Sequence, residues 1–334
     1  MNSFGKCFKV NIFGESHGKN VGVVVDGVPA GLPLNFKDFS TDLAKRKAGS
    51  AGTTQRLESD TPFFMSGILN NRTTGAPISI TFQNQKAHPK DYESIRELPR
   101  PGHADWVAFQ KYGGFNDSRG GGQFSGRLTV GLVAAGVIAK KMIHPVKIKA
   151  KLLEVGGSKK ISKTIKIVSQ ENDSIGGLIE CRAQEVPPGL GEPFFDSVES
   201  LLSHIVFSIP GIKGIEFGSG FACSKMKGSE CNDNLINKQG KTDSNHSGGI
   251  NGGITNGNEL VFRAAVRPTP SISKPQKTVN MRTGNLDSMT IKGRHDTCIA
   301  LRVPVIVEAS TSIVLADLML QSQKIQRIWR ENDS

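Results

Sequence analysis

The sequence has few of the features that mark base-stacking, membrane or disulfide-rich proteins. Only 2 Trp and 2 Tyr occur among 334 residues, and no segment alternates aromatic with basic side chains, so a base-stacking platform is poorly supported. The longest nearly unbroken apolar run, Leu128–Ala139, is shorter than the roughly 20 residues that cross a bilayer. The 5 Cys are scattered without a C-x-x-C pair, which argues against a disulfide framework and a zinc knuckle. Met1–Lys6 lacks the pattern of a secretory signal, so we expect a soluble cytoplasmic protein.

Positive charge and glycine are what the sequence has in excess. Lys and Arg number 42 against 30 Asp and Glu, a net charge of +12, which favours anionic partners. Since stacking aromatics are scarce, a small polyanionic substrate is the better interpretation. A basic, glycine-rich RNA- or nucleotide-binding protein without catalysis is the alternative. With 37% hydrophobic residues and no linker-like composition between its halves, the chain is predicted to form one domain over residues 1–334.

Hydrophobic periodicity predicts a mixed α/β (α+β) fold. Alternating or β-branched segments predict strands at Cys7–Phe13, Val21–Val25, Ile78–Phe82, Leu178–Arg182, Leu260–Val266 and Val303–Val307. Helical spacing predicts helices through Phe36–Leu43, over Ser125–Ile143, through Val198–Val206 and over roughly Glu308–Arg327. The second of these helices is apolar nearly all round, so it should be buried, and Gly131 and Gly136 should allow another element to pack closely on it.

A weak internal repeat links the two halves of the chain. The strand Val21–Val25 is followed by Val28-Pro29-Ala30-Gly31-Leu32 and a helix. The strand Leu178–Arg182 is followed by Val186-Pro187-Pro188-Gly189-Leu190 and a helix. Two such strand–turn–helix units predict an internally duplicated core.

The segment Gly14-Glu15-Ser16-His17-Gly18 matches G-x-S-x-G. In α/β-hydrolases that motif joins a strand to a helix, whereas the segment after His17 is β-branched and predicts a strand. The hydrolase interpretation is therefore weak. The two glycines instead predict a tight loop that exposes His17, although a purely structural histidine remains the alternative.

Three further segments carry candidate functional groups. Arg100–Asp105 places His103 on a Pro/Gly turn beside an arginine and an aspartate, although a plain turn is an equal alternative. Arg119–Arg127 contains three glycines and leads into the buried helix, where backbone N–H groups and the helix N-terminus favour an anion; Ser125 could also be a simple N-cap. The segment Arg119–Arg127 matches neither the Walker motif nor the dinucleotide-binding motif.

The remaining clusters lie in the second half of the chain. Asn245–Ile254 is glycine-rich and precedes a strand that ends in Arg267-Pro268-Thr269-Pro270-Ser271; it suits a phosphate or a ring, with plain turns as the alternative. Gly293–Cys298 brings together a cation, His295 and Asp296. No spacing supplies three metal ligands, so no metal is predicted.

Together these ordered motifs resemble the chorismate synthase family over nearly the whole chain. The resemblance rests on Phe13–Gly18 with Val25–Pro29, Thr53–Arg56, Arg100–Asp105, Arg119–Arg127, Val186–Pro193, Ser244–Gly253, and Gly293–Cys298 with Glu308-Ala309. It implies the β-α-β sandwich of that family, a homotetramer, and conversion of 5-enolpyruvylshikimate 3-phosphate to chorismate and phosphate with reduced FMN. The flavin acts in that family as a transient electron donor without net redox change.

The resemblance also implies residue roles. As the catalytic residues, His17 would stabilise the anionic N1 region of reduced flavin, His103 would protonate or hydrogen-bond the departing phosphate, and Asp296 would assist proton removal through flavin N5. NADP or substrate contacts would come from Arg46, Arg119 and Arg127. FMN contacts would come from Gln123, Phe124, Ser125, Gly252, Arg267, Pro268, Thr269, Pro270, Ser271 and Arg294.

The chain departs from the family pattern at several positions. Gln123 stands where many members have Arg, so one substrate or flavin cation is missing or is supplied elsewhere. Gly52 stands where many members have a cation, which weakens an NADP assignment. Arg267 replaces the more usual Lys, and Pro270 replaces a hydroxyl residue. NADPH is a possible reductant, but the chain contains no separate reductase module, so external reduction of FMN is the stronger expectation.

Overall fold

The computed structural model describes residues 1–49, 52–54, 58–85, 97–291 and 295–330. In the first half the strands are β1 (Ser3–Phe4), β2 (Lys9–Gly14), β3 (Asn20–Asp26), β4 (Phe63–Ser66), β5 (Ile68–Leu69), β6 (Arg72–Thr73) and β7 (Ile78–Gln83). The helices are α1 (Ser40–Arg46), α2 (Asp105–Tyr112) and α3 (Thr129–Met142). Short 3-10 helices occupy Phe36–Phe39, Arg119–Phe124 and Gly126–Leu128.

The second half adds a similar set of elements. Its strands are β8 (Lys147–Val155), β9 (Gly177–Gln184), β10 (Ile212–Phe217), β11 (Ile250–Asn251), β12 (Ile254–Thr255), β13 (Leu260–Val266), β14 (Gln276–Val279) and β15 (Leu286–Met289). Its helices are α4 (Ile161–Gln170), α5 (Val198–Phe207), α6 (Gly228–Cys231) and α7 (Pro304–Gln321). Its 3-10 helices occupy Phe194–Asp196, Gly220–Lys225 and Ile299–Leu301.

Two antiparallel sheets share an order of four strands. The first sheet runs β1-β2-β3-β7-β4, and its last four strands correspond to β8-β9-β13-β10 of the second sheet. In each sheet an antiparallel pair (β2 with β3, or β8 with β9, which α4 connects) is followed along the chain by a helix (α1 or α5), an edge strand (β4 or β10), an inner strand (β7 or β13) and a buried helix (α3 or α7). The predicted strand–turn–helix repeat is therefore the opening part of a longer duplicated unit.

Helices α3 and α7 form the layer between the sheets. Helix α3 packs on β3 and β2, α7 packs on β8 and β9, and the two helices pack on each other. Both predicted glycine contacts are confirmed, since a Cβ on Gly131 would lie 3.2 Å from the carbonyl oxygen of Gly22, and one on Gly136 would lie 2.3 Å from Cβ of Ala309. Close approach of backbones thus explains glycine in a helix, where it costs about 1 kcal/mol relative to Ala.

The prediction of a strand at Val303–Val307 is wrong. Pro304 is the first residue of α7, which ends at Gln321 rather than near Arg327. Val303, Val305 and Val307 are all buried, because α7 is surrounded by protein on every side and an apolar residue suits any position on it. The helix through Phe36–Leu43 is also divided, into a 3-10 turn and α1.

Helix α7 has the length and hydropathy of a membrane span, but 83% of that segment is buried inside the protein. It also carries buried carboxylates that tie distant segments together. Asp317 accepts hydrogen bonds from the backbone N–H groups of Lys6 (3.0 Å), Cys7 (2.6 Å) and Phe8 (2.8 Å). Glu308 accepts from Ala150 N (3.0 Å) and from Lys140 Nζ of α3 (3.0 Å). Helix α7 is therefore the central helix of this fold.

Candidate active site

A cavity of about 600 Å³ lies where loops from both halves of the chain meet. The segments that line it come from the end of α1, the turn before α2, the glycine segment before α3, the α5–β10 loop, the loop after β13 and the segment before α7. Its charged lining residues are Arg46, Lys47, Glu58, Asp60, Arg100, Arg127, Lys213, Arg267, Asp296 and Arg302. Cations outnumber carboxylates among the described lining residues, so the cavity suits a polyanionic ligand.

Three consecutive glycines place two imidazoles beside this cavity. Gly120 and Gly121 have φ of 57° and 83°. A Cβ on Gly120 would lie 2.2 Å from Cε1 of His17, and one on Gly121 would lie 3.2 Å from Cε1 of His103. His17 and His103, 86 positions apart by number, therefore pack against neighbouring residues of one turn. His103 and Gly120 line the cavity, whereas His17 lies behind Gly120.

The loop that carries His17 joins β2 to β3, two paired strands. Ser16 N donates to the carbonyl of Gly122 (3.1 Å), and Asn84 Nδ2 donates to the carbonyls of Glu15 (3.0 Å) and Gly18 (2.8 Å). A hydrolase nucleophile elbow needs a helix after the serine, so the strand that follows excludes it. The predicted tight loop between two strands is confirmed. The predicted exposure of His17 is wrong, because the side chain packs against Gly120 and is only 8% exposed.

His103 is held by charged neighbours on the same turn. Its Nδ1 lies 2.7 Å from Oδ1 of Asp105 and 3.0 Å from the NH2 group of Arg100. Arg100 also donates to both oxygens of Asp105, from Nε (2.7 Å) and NH2 (2.8 Å). Burial favours the neutral form of Asp105, but the hydrogen bonds from Arg100 and His103 outweigh it and hold the pKa of this carboxyl well below its usual range. Asp105 is therefore a permanent anion beneath His103.

Asp296 lines the same cavity as His103. Its Oδ1 accepts from Thr54 N (2.9 Å), and the NH1 group of Arg302 lies 3.5 Å from both carboxylate oxygens. The neighbouring His295 also lines the cavity; burial and the charge of Arg100 lower its pKa although Asp296 opposes them. An oriented carboxylate that lines a cavity is a suitable proton acceptor.

Arg46 and Arg127 share one buried carboxylate. Asp60, in the left-handed backbone region at φ 51°, forms ion pairs with both guanidiniums. Burial, together with Arg302 and Arg127, lowers the pKa of Arg46 to about 10 although Asp60 opposes this. Burial would raise the pKa of Asp60, but the two arginines lower it. The cluster keeps one positive charge in excess on this wall of the cavity.

We expect Asp60→Asn to lower the free energy of unfolding by about 3–5 kcal/mol, since it leaves buried guanidiniums without a counter-ion. Asn tolerates the left-handed backbone, so strain does not contribute. The pKa of Asp60 is lowered on folding, so its stabilisation is present above about pH 4 and is lost as the pH falls through the folded-state pKa.

Urea unfolding at pH 7 and pH 3 measures the effect of Asp60→Asn. The Asp287→Asn variant, at an exposed position outside the site, is the control and should change stability by less than about 0.5 kcal/mol. A loss below 1 kcal/mol for Asp60→Asn at pH 7, or one that does not shrink at pH 3, would contradict the expectation.

The segment Arg267–Ser271 lines the cavity and is bonded to the turn that carries His103. Arg267 NH1 donates to the carbonyl of Gly102 (2.9 Å), and Arg100 NH1 donates to Oγ of Ser271 (3.1 Å). Ser174 Oγ donates to the carbonyl of Thr269 (2.6 Å). These bonds hold the predicted cofactor loop in a fixed position relative to His103.

Gln123, Phe124 and Ser125 also line the cavity. Oγ of Ser125 accepts from Arg127 N (3.2 Å), so Ser125 is the N-cap of the 3-10 turn before α3. Gln123 and Ser125 further border a side chamber of about 260 Å³ that extends towards Phe4 and His204. Gln123 and Ser125 therefore line two separate cavities.

Some predicted site residues lie elsewhere. Arg119 is not among the described residues that line the cavity, and it forms an ion pair with Asp117 at 2.8 Å. Gly252 lies in the β11–β12 turn with open space at its Cβ position, also outside the cavity lining. Arg294 lies outside the residues that the structure describes, as do Gln55 and Arg56 of the Thr53–Arg56 motif.

The cavity also contains groups that sequence reasoning missed. The Pro210-Gly211 turn comes from the α5–β10 loop, Lys213 lies at the start of β10, and Arg302 comes from the turn before α7. Lys213 makes no ion pair with any part of the chain that the structure describes, so its charge is available to a ligand. The Pro-Gly pair was a usable signal for a turn, but nothing local in the sequence shows that this turn faces His103.

Comparisons with known proteins agree with the motifs. The chorismate synthase family model matches residues 8–320. The chorismate synthase of Chitinophaga pinensis is 57% identical over 331 residues, covering 99% of this chain and 100% of that protein. The chain belongs to the chorismate synthase family. It is accordingly a lyase of the shikimate pathway, and the alternative of a nucleic-acid-binding protein without catalysis is not supported.

More distant chorismate synthases give the same result. The Dehalococcoides mccartyi enzyme is 46% identical over 362 residues, covering 99% of this chain and 100% of that protein. The Korarchaeum cryptofilum enzyme is 41% identical over 353 residues, covering 96% and 98%. A crystal structure of chorismate synthase superposes with a TM-score of 0.72 at 24% identity over 96% of this chain and 93% of that one. The predicted chorismate synthase fold, a β-α-β sandwich, is confirmed.

Proposed function

We propose that this chorismate synthase eliminates phosphate from 5-enolpyruvylshikimate 3-phosphate in the 600 Å³ cavity with reduced FMN as cofactor. One observation carries the proposal: the rings of His17 and His103 lie against adjacent glycines beside a cationic cavity that also contains Asp296. The substrate carries one phosphate and two carboxylates, so a surplus of cations matches its charge.

The residues of the cavity fit a flavin mononucleotide. The volume is within the range of roughly 300–1,000 Å³ that cofactor sites occupy, and the turn at Gly120–Gly121 leaves no room for a Cβ between backbone and imidazoles. Gln123, Phe124, Ser125 and the segment Arg267–Ser271 would hold the cofactor. When bound, reduced FMN supplies the transient electron donation that an unactivated ring carbon requires. Contacts from Gly252 and Arg294 stay predictions of the family resemblance.

The proton transfers are assigned to side chains of this chain. His103 gives a proton or hydrogen bond to the departing phosphate, and Asp296 accepts the proton released from the substrate ring. His17, behind Gly120, acts as an acid towards the cofactor side of the cavity. Acid–base help of this kind contributes about 10²–10⁴-fold for each group.

Substrate anions are assigned to Arg46 and Arg127, whose shared Asp60 leaves one positive charge in excess. Arg119 donates two hydrogen bonds of 2.8 Å to Asp117, and its side chain is 45% exposed. Contact of Arg119 with a ligand anion stays a prediction of the family resemblance. NADP contact by Arg46 belongs to the same proposal.

An anaerobic assay tests the function directly. Chorismate formation is measured with chemically reduced FMN, and in a parallel reaction with oxidised FMN plus NADPH. We expect turnover in the first reaction and little in the second, since the reductant is proposed to be external. No chorismate in either reaction would refute the FMN-dependent reaction, and equal rates would show that the chain reduces its own flavin.

The proposal includes the setting of the enzyme. We assign it to the cytoplasm as a homotetramer that acts on a small molecule without a nucleic-acid or membrane partner. Light scattering after size-exclusion chromatography should give four chain masses. A monomer or dimer at micromolar concentration would remove the tetramer from the proposal.

A further inference from the structure

His103 is contacted at one ring nitrogen by two groups of opposite character. The carboxylate of Asp105 lies 2.7 Å from Nδ1 and can only accept a hydrogen bond, whereas the guanidinium of Arg100 lies 3.0 Å away and can only donate. Both Arg100 and Asp105 have almost wholly buried side chains, so neither exchanges its partner for water. The proton on Nδ1 therefore determines which of the two contacts is a hydrogen bond.

The geometry favours the contact with Asp105. Arg100 directs its Nε and its NH2 group to the two oxygens of Asp105, at 2.7 and 2.8 Å. The hydrogen bonds from Arg100 and His103 outweigh burial and keep the pKa of Asp105 well below its usual range, so this carboxyl stays an acceptor. A contact of 2.7 Å with a permanent acceptor requires a proton on Nδ1.

We propose that Asp105 is a positioning residue that keeps a proton on Nδ1 of His103, so that the opposite nitrogen, Nε2, exchanges the proton with the substrate. The inference rests on the proposed function and names an atom that it leaves open. A ring C–H bond of the substrate breaks, with its proton going to Asp296 and its electron pair to the ring, which gains one C=C bond. The C–O bond breaks with its electron pair going to the phosphate, and a proton moves from Nε2 to a phosphate oxygen. The His103 ring changes from imidazolium to neutral imidazole, and its Nδ1–H bond to Asp105 is kept throughout.

The surroundings of Nε2 agree with this assignment. Gly121 faces this edge of the ring, and a Cβ there would lie 3.4 Å from Nε2. The guanidinium that holds Asp105 also donates to Ser271 of the proposed cofactor loop. The orientation of His103 is thereby linked to the segment Arg267–Ser271, which lines the cavity.

The substitution Asp105→Asn should reverse the tautomer. Oδ2 of Asp105 accepts both Arg100 N (3.1 Å) and Arg100 Nε (2.7 Å), so the amide oxygen of Asn takes that place and the amide NH2 faces Nδ1. The NH2 group donates to Nδ1, which leaves Nε2–H in the neutral ring and disfavours the imidazolium. We expect kcat to fall at least 100-fold while KM for the substrate changes less than threefold.

The control for Asp105→Asn is Asp196→Asn, which removes an exposed ion pair with Lys6 and should leave both constants unchanged. A kcat within threefold of the unsubstituted enzyme for Asp105→Asn would overturn the inference. So would a loss that appears only in KM, since a positioning role acts on the proton transfer.

A second measurement does not depend on the folding of Asp105→Asn. Nitrogen NMR of the unsubstituted enzyme with ring-labelled histidine identifies the protonated nitrogen of neutral His103, whose signal is assigned by its loss in His103→Gln. We expect a proton on Nδ1, and a proton on Nε2 would refute the inference. Neither substrate nor FMN is present, so this result is independent of the chorismate assay, which alone tests the proposed function.

Discussion

Replacement of His103 or His17 with Ala is expected to lower kcat at least tenfold, and up to the 10²–10⁴-fold that one acid–base group contributes. His103 lines the cavity with its Nδ1 held by Asp105, and His17 lies against Gly120. Both rings are at the edge of the site rather than in the hydrophobic core, so the variants should fold. Initial rates of chorismate formation with chemically reduced FMN measure the effect.

The control for the two histidine variants is His144→Ala. His144 is exposed at the end of α3, and its replacement should leave turnover unchanged. Circular dichroism and thermal melts establish that each variant is folded. Normal turnover in both His17→Ala and His103→Ala would remove the proposed site.

Gly120→Ala is expected to reduce kcat at least tenfold although it adds only one methyl group. The new Cβ would lie 2.2 Å from Cε1 of His17, so either the ring or the turn must move, and an error of about 1 Å in a reacting group can cost 10²-fold. Gly121→Ala should have a smaller effect, since its Cβ would lie 3.2 Å from Cε1 of His103.

Gly157→Ala separates this effect from backbone strain. Gly157 has φ 78° and open space at its Cβ position. Alanine in the left-handed region costs about 1–2 kcal/mol, a loss of stability that all three variants share. Gly120→Ala adds the steric contact with His17, and only the first two variants should lose activity. If Gly157→Ala reduces kcat as much as Gly120→Ala does, contact with His17 is not the cause.

The fold was predictable from sequence where an apolar run has the length and composition of one element type only. Strands β3 and β13 were predicted nearly to the residue, because short runs rich in β-branched residues and bounded by turn residues indicate buried strands. Helix α7 was misassigned at its start, because it is buried on all sides and its valines fit either period. The glycines of α3 were informative because only a close neighbour explains them.

The site was predictable in its motifs but not in its pairings. Gly-rich turns located His17, His103 and the cofactor loop, since such turns have local signatures. The partners of the arginines come from distant segments: Asp60 joins Arg46 to Arg127, and Arg302 reaches Asp296. Which cations are neutralised depends on tertiary structure, so Arg119 and Arg127 looked alike in sequence although one is exposed and the other buried.

The hydrogen bonds between Asp317 and the N-terminal segment have a consequence for biogenesis. This carboxylate recognises the amide groups of Lys6, Cys7 and Phe8 and not their side chains. These hydrogen bonds join residues that are 309 to 311 positions apart. They can therefore form only after almost the entire polypeptide has left the ribosome, and until then the segment before β2 is not held in place. In a nascent chain arrested before α7, the first sheet lacks its hydrogen bonds to Asp317 and should therefore be accessible to chaperones and proteases.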